Sequence, residues 1–126
     1  MDKALTKEEQ RQLENWTLQT EAGEMAQVHD LVENCNISFQ FAKTHSVYLK
    51  DWEKTKERME NNLRRGVLPP GVSANLNRAI IDATDKIMQK KLANVRTAFQ
   101  MKFGESIYNY LGKDGKTKGL FSGLFG

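Results

Sequence analysis

The chain predicts an all-α fold: a long antiparallel helical hairpin, or three helices if its first arm breaks near Asn36. Three observations predict it. Apolar residues recur every three or four positions along two long stretches. The only two prolines stand together, at Pro69 and Pro70, between those stretches. Charge divides at nearly the same place. Residues 1–62 carry 8 Lys+Arg and 12 Asp+Glu, a net −4, and residues 63–126 carry 11 and 4, a net +7.

The first arm opens on Thr6-Lys7-Glu8-Glu9, a capping box. The Thr6 hydroxyl can accept the Glu9 amide, and the Glu9 carboxylate can return to the Thr6 amide. Leu13, Trp16, Met25, Val28, Val32, Cys35, Phe39 and Ala42 then keep helical spacing. Around Asn34–Phe41 the pattern is ambiguous, because Ile37, Phe39 and Phe41 alternate with polar residues as a strand would. Beyond it Phe41, His45, Tyr48, Trp52, Met59 and Leu63 resume a helical stripe. Gly66-Val67-Leu68-Pro69-Pro70-Gly71 ends this arm, with the loop expected near 64–72. Ser73 is placed to cap the second arm.

Residues 73–111, 39 in all, read as one helix of about 58 Å at 1.5 Å per residue. Leu76, Ile80, Ile87, Leu92, Val95, Phe99, Phe103, Ile107 and Leu111 carry its stripe, with Gly104 as a weak point and Gly112 as the terminator. A helix this long needs a partner of similar length, so the arms should pair through the proline loop. Glu53, Glu57 and Glu60 would face basic positions of the second arm. The aromatic face is wider than a two-helix hairpin needs. Phe39, Phe41, Tyr48, Trp52, Leu92, Val95 and Phe99 are therefore expected to form an oligomer face, completing a bundle or coiled coil by self-association. The first segment could instead fold over as a third member.

The helical domain is expected over 1–112, followed at 113–126 by a flexible Gly/Lys linker and a tail. The tail repeats Gly-Leu-Phe, ending Gly119-Leu120-Phe121-Ser122-Gly123-Leu124-Phe125-Gly126. Large apolar residues after a basic linker suit a short docking motif, with Leu120, Phe121, Leu124 and Phe125 entering a partner's pocket and lysines steering. Gly-Leu-Phe-Gly resembles the repeat unit of some nuclear-pore proteins, which carry many copies in long disordered regions. The basic stretch before Leu-Phe pairs is similar to terminal peptides that bind replicative sliding clamps, without their usual glutamine. Each resemblance covers only the end of the chain, and no function is carried over from either.

Chemistry-bearing constellations are sparse. His29 and Glu33 could share a metal but read as a solvated pair, and His45 reads as an edge-of-core residue. Cys35 reads as a small buried hydrophobe. One cysteine and two histidines at these spacings make no zinc pattern. Gly115-Lys116-Thr117 matches the end of a phosphate-binding loop, but the glycine needed at 110 is Tyr110 and no strand precedes it. No enzyme and no cofactor are expected. Arg78, Lys86, Lys90, Lys91, Arg96, Lys102, Lys113, Lys116 and Lys118 are candidate anion contacts, for an anionic membrane or nucleic acid. The basic positions of the second helix otherwise read as a solvated face. The N-terminus has neither the apolar run of a signal peptide nor a lipidation motif, so the expected location is the cytoplasm of a cell or a virus-infected cell. The expected role is an oligomeric helical adaptor that recruits another protein by its tail. A peripheral membrane protein and a nucleic-acid-associated regulator are the alternatives.

Overall fold

A computed structural model describes residues 4–118. Three helices account for most of them: α1 (Lys7–Asn34), α2 (Ser38–Arg64) and α3 (Ala74–Phe103). A short 3-10 turn follows at Ile107–Asn109. The chain does break near Asn36, at Cys35–Ile37, where extended backbone separates α1 from α2. The alternation of Ile37, Phe39 and Phe41 is thus a helix break followed by a helix start, not a strand.

Both sequence-level caps are made. The Glu9 amide donates to the Thr6 hydroxyl at 3.0 Å and the Thr6 amide to the Glu9 carboxylate at 3.1 Å. The Leu76 amide donates to Ser73 Oγ at 3.1 Å. These two caps also meet each other, because the Ser73 hydroxyl donates to the second Glu9 oxygen at 2.7 Å. That bond, with the Thr6 amide, holds the Glu9 carboxyl below the usual range.

The α1–α3 partners rise together in number, from Trp16–Thr84 through Glu24–Lys91 to Val32–Lys102, so these helices run parallel. The α2–α3 partners run oppositely, from Glu60–Arg78 through Trp52–Asp85 to His45–Arg96, so that pair is antiparallel. The result is an up-down-up bundle with α3 against both neighbours, while α1 and α2 scarcely touch. The expected hairpin is the α2–α3 pair, and α1 is its third member.

One expectation is corrected at the end of α3. The helix stops at Phe103, not near 111. Gly104 adopts φ +71°, a left-handed conformation open to it because it lacks a Cβ, and its N–H closes on Gln100 O. The chain then folds back, burying Ile107 and Leu111 against Phe41, Val95 and Phe99. Their four-residue spacing after Phe103 mimics a helical stripe, which is why the pattern reads as continuous helix.

The aromatic face is corrected with it. Phe41, Val95 and Phe99 have no exposed surface, and Trp52 and Leu92 retain only 5% and 2%. Phe41 packs edge-on against Phe99, with centroids 5.7 Å apart, and against Phe103 at 5.5 Å. Phe39 sits half-buried at the edge of Tyr110, and Tyr48 lies half-buried beneath the Lys91 ammonium. This surface cannot serve as an oligomer face. The width that the hairpin leaves over is filled from within the chain, by α1 and by the turn after α3.

Candidate functional site

Two places gather the polar groups and clefts of this bundle: the flank of α2 that receives the C-terminal turn, and the cleft between α1 and α2.

After Leu111 the chain makes a tight turn. The Gly112 amide donates to Lys116 O at 2.8 Å and the Lys118 amide to Tyr110 O at 3.0 Å. α2 fastens this turn along one flank. His45 is buried, and its Nδ1 lies 3.0 Å from Gly115 O. On the other side of the ring, Arg96 Nη1 lies 3.1 Å from Nε2. A guanidinium can only donate, so Nε2 accepts and the proton sits on Nδ1, donated to Gly115 O. Burial pushes the His45 pKa down to about 4, and the nearby Arg96 charge adds to that, against the opposing pull of the Gly115 carbonyl. At the next residue of α2, the Thr117 amide donates to Ser46 Oγ at 3.2 Å. Lys116 then reaches Glu53 at 3.1 Å. Within the segment expected to be a linker from 113, residues 115–117 are therefore bonded to α2.

Gly115 has φ +82°, and a Cβ there would lie 3.0 Å from Leu49 Cδ2 and 3.2 Å from His45 Cε1. Gly115→Ala combines left-handed strain of about 1–2 kcal/mol with that close approach. It is expected to unfasten the turn, raising hydrogen exchange at the Thr117 and Lys118 amides while α1–α3 keep their helicity. Unchanged exchange at those amides would contradict this reading of the turn.

The second place lies on the far side of α2. There the sparse contact between α1 and α2 leaves a cleft of about 300 Å³ over α3. Its apolar walls are Trp16, Trp52, Met59 and Met88, and Glu24 and Asp51 stand at its margin. The Trp16 indole N–H donates to Thr84 Oγ1 at 3.2 Å and that of Trp52 to Asp85 at 2.8 Å. With both N–H groups satisfied, the rings offer the cleft apolar surface only. The Trp52 bond, with Gln89 and Lys56, outweighs the burial that would raise Asp85 and holds its carboxyl below the ordinary range.

Most predicted anion contacts are committed within the bundle. Arg78 pairs with Glu60 and Asp82, Lys90 with Glu21, and Lys116 with Glu53. Arg96 serves His45, and Lys102 bonds Val32 O. Lys91 is buried, with Glu24 and Gln27 each 2.6 Å from its ammonium. Lys86, Lys113 and Lys118 have no side-chain partner among the described residues. The charge split is thus largely an interhelical pairing device. It joins basic α3 to acidic positions on α1 and α2, a role in register that the expected Glu53, Glu57 and Glu60 pairing captured only at Glu60.

Leu120, Phe121, Leu124 and Phe125 lie outside the described residues. His29 and Glu33 form an exposed pair at 3.2 Å. Cys35 is half-buried, its thiol facing Ile37 O. Among the described residues no group of three His, Cys, Asp or Glu side chains could hold a metal ion. No described helix is long and apolar enough to cross a membrane. Sequence reasoning missed Ser46, Gly115 and the cleft, since each depends on segments far apart in the chain. His45 alone carried a signal, a histidine on an aromatic stripe. No protein-family model matches the chain, and no curated protein or solved structure is similar to it.

Proposed function

We propose that the chain is a non-enzymatic interaction protein, in which a three-helix body carries the C-terminal Leu-Phe tail and offers it to a protein partner. The observation that carries this reading is the fastened turn. Bonds from His45 and Ser46, and an ion pair with Glu53, tie residues 115–117 to α2. Anchoring the chain this close to the docking residues lowers the entropy lost when they bind. The lysines next to it, Lys113 and Lys118, add electrostatic steering.

A protein partner is favoured over a phosphate-rich one. Arg78, Lys90, Lys91, Arg96 and Lys102 are bound to groups of the bundle. Of the nine candidate anion contacts, that leaves Lys86, Lys113 and Lys118 without a side-chain partner among the described residues, a small set for releasing counterions from nucleic acid.

The test compares the full chain with an L120A/F121A/L124A/F125A variant. Both should show the same helical circular dichroism and Tm. Affinity capture from lysate of the source cell should recover a partner with the native tail and lose it with the variant. Equal capture by both would overturn the docking role. A gel shift or vesicle flotation that weakens with salt and survives the four substitutions would replace it with a phosphate-directed one.

A further inference from the structure

We propose that the α1–α2 cleft is a receptor for the C-terminal segment of a second copy of this chain. The inference rests on reading the tail as a docking peptide, and it names one surface that such a peptide fits.

The first argument is chemical match. The cleft is walled by two tryptophans and two methionines, Trp16, Trp52, Met59 and Met88. Trp16 leaves 42% of its surface exposed although its N–H is bonded to Thr84. Thioether side chains adapt to varied apolar shapes, so these walls suit Leu and Phe side chains of a short segment. The volume, about 300 Å³, is at the lower limit of small-molecule sites and fits a few side chains better than a bulky ligand.

The second argument is charge. Asp51, on the cleft margin, has no ion pair among the described residues. Of the two helices that frame the cleft, α1 is the acidic one, with 7 Asp+Glu against 2 Lys+Arg, while α2 carries 4 against 6. Glu24 is already paired with Lys91, so Asp51 is the carboxylate left to meet a lysine of the partner tail, which follows Lys113, Lys116 and Lys118.

The third argument is reach, and it selects a second copy over the same chain. At about 100° per residue, Ser46, Leu49 and Glu53 define the flank of α2 that holds the turn, and Asp51, Thr55 and Met59 define the cleft flank. α3 occupies the space between them on the inner side of α2. The tail would have to pass around the outer side, roughly half the circumference of a helix about 11 Å across, or about 17 Å. It would also have to climb about 10 Å along the axis, from Ser46 to the level of Trp52 and Thr55. Eight residues span at most about 28 Å when fully extended. Too little chain remains to seat both Leu-Phe pairs. From another molecule there is no such limit. The contact is heterologous, tail to cleft, so two copies joined by it leave one free cleft and one free tail between them.

The test uses the fact that both tryptophans of the chain line the cleft. A synthetic peptide of residues 113–126 is titrated into the full-length chain carrying L120A/F121A/L124A/F125A, with tryptophan emission as the readout. The expected result is a saturable shift that weakens as salt rises from about 0.05 to 0.5 M. Thr55→Arg, a substitution at the cleft wall, should lose the shift while keeping the Tm. A peptide with its Leu and Phe residues replaced by alanine should produce none. The unsubstituted chain should sediment with a mass that grows with concentration, and the four-alanine variant should not. No saturable shift up to about 1 mM peptide, or an equal shift in Thr55→Arg, overturns the proposal. So does a tail-dependent emission difference that is independent of protein concentration, since it places the tail in its own cleft. Capture of a different partner with no emission response leaves the docking peptide standing and removes this cleft as its receptor. Loss of both responses removes both.

Discussion

Lys91→Ala is expected to destabilise the bundle by about 3 kcal/mol or more, the largest single effect at a polar position. Lys91 comes from α3, and its ammonium is almost fully buried. It meets Glu24 and Gln27 of α1 at 2.6 Å and lies 3.7 Å from the ring centroid of Tyr48 on α2. One side chain therefore ties all three helices. Removing it strands a partly buried carboxylate and an amide oxygen, and withdraws the cation from the Tyr48 ring. The Tyr48 hydroxyl already has a raised pKa, from burial and then from Glu24 and Asp30, and loss of the ammonium should raise it further. Replacing both charges, as Lys91→Met with Glu24→Leu, should recover most of the stability, because a buried pair exchanged for apolar packing is often neutral. Urea denaturation of the two single variants and the double variant gives the coupling directly. A Lys91→Ala cost below about 1 kcal/mol would mean that the ammonium is solvated, like an ordinary surface pair.

Stability should also fall as pH drops from about 6.5 to 4, through His45. In the unfolded chain a histidine titrates near 6.5. In the fold, burial pushes His45 down to about 4. Between those values the unfolded state binds a proton that the folded state refuses, so stability is lost as pH falls. The contribution is fully present above about 6.5 and gone below the folded value. At about 1.4 kcal/mol per pKa unit it amounts to about 3 kcal/mol. Protonation places a hydrogen on Nε2 against Arg96 Nη1 and so breaks the bond that positions the ring. His45→Gln keeps a donor for Gly115 O and an acceptor for Arg96 but does not titrate. The difference in unfolding free energy between the native chain and this variant, measured at several pH values, should fall steeply over this window. A flat difference would show that His45 is not held neutral. Amides of the 115–118 turn should lose protection along the same curve, since His45 is one of its fastenings.

The residues explain why some of this was legible beforehand. The Thr6–Glu9 box and the Ser73 cap each need only a few adjacent positions, so the sequence displays them. The proline loop is read in the same way. The break at Cys35–Ile37 was half legible: the asparagines at 34 and 36 marked the place, but local pattern could not choose between helix and strand. The aromatic face was recognised as too wide for two helices. Periodicity says that a face is apolar and is silent on which segment covers it. The turn that fastens residues 115–117 joins positions about 70 apart in the chain, from His45 to Gly115 and from Ser46 to Thr117. No local signal encodes such a pair.

The sequence by itself determined the helical class, where α1 and α3 start, and a charge segregation that suits α3 to its two neighbours. Those follow from hydrogen-bonding and periodicity rules that act over one or two helical turns. Only the tertiary structure decided that α3 ends at Gly104, that the aromatic face closes within one chain, and that most basic residues serve the bundle. The physical reason is one of competition. Ile107 and Leu111 fit a continued helix equally well by spacing, and folding back won because it buries them against Phe41 and Phe99, a non-local gain that local propensity cannot weigh.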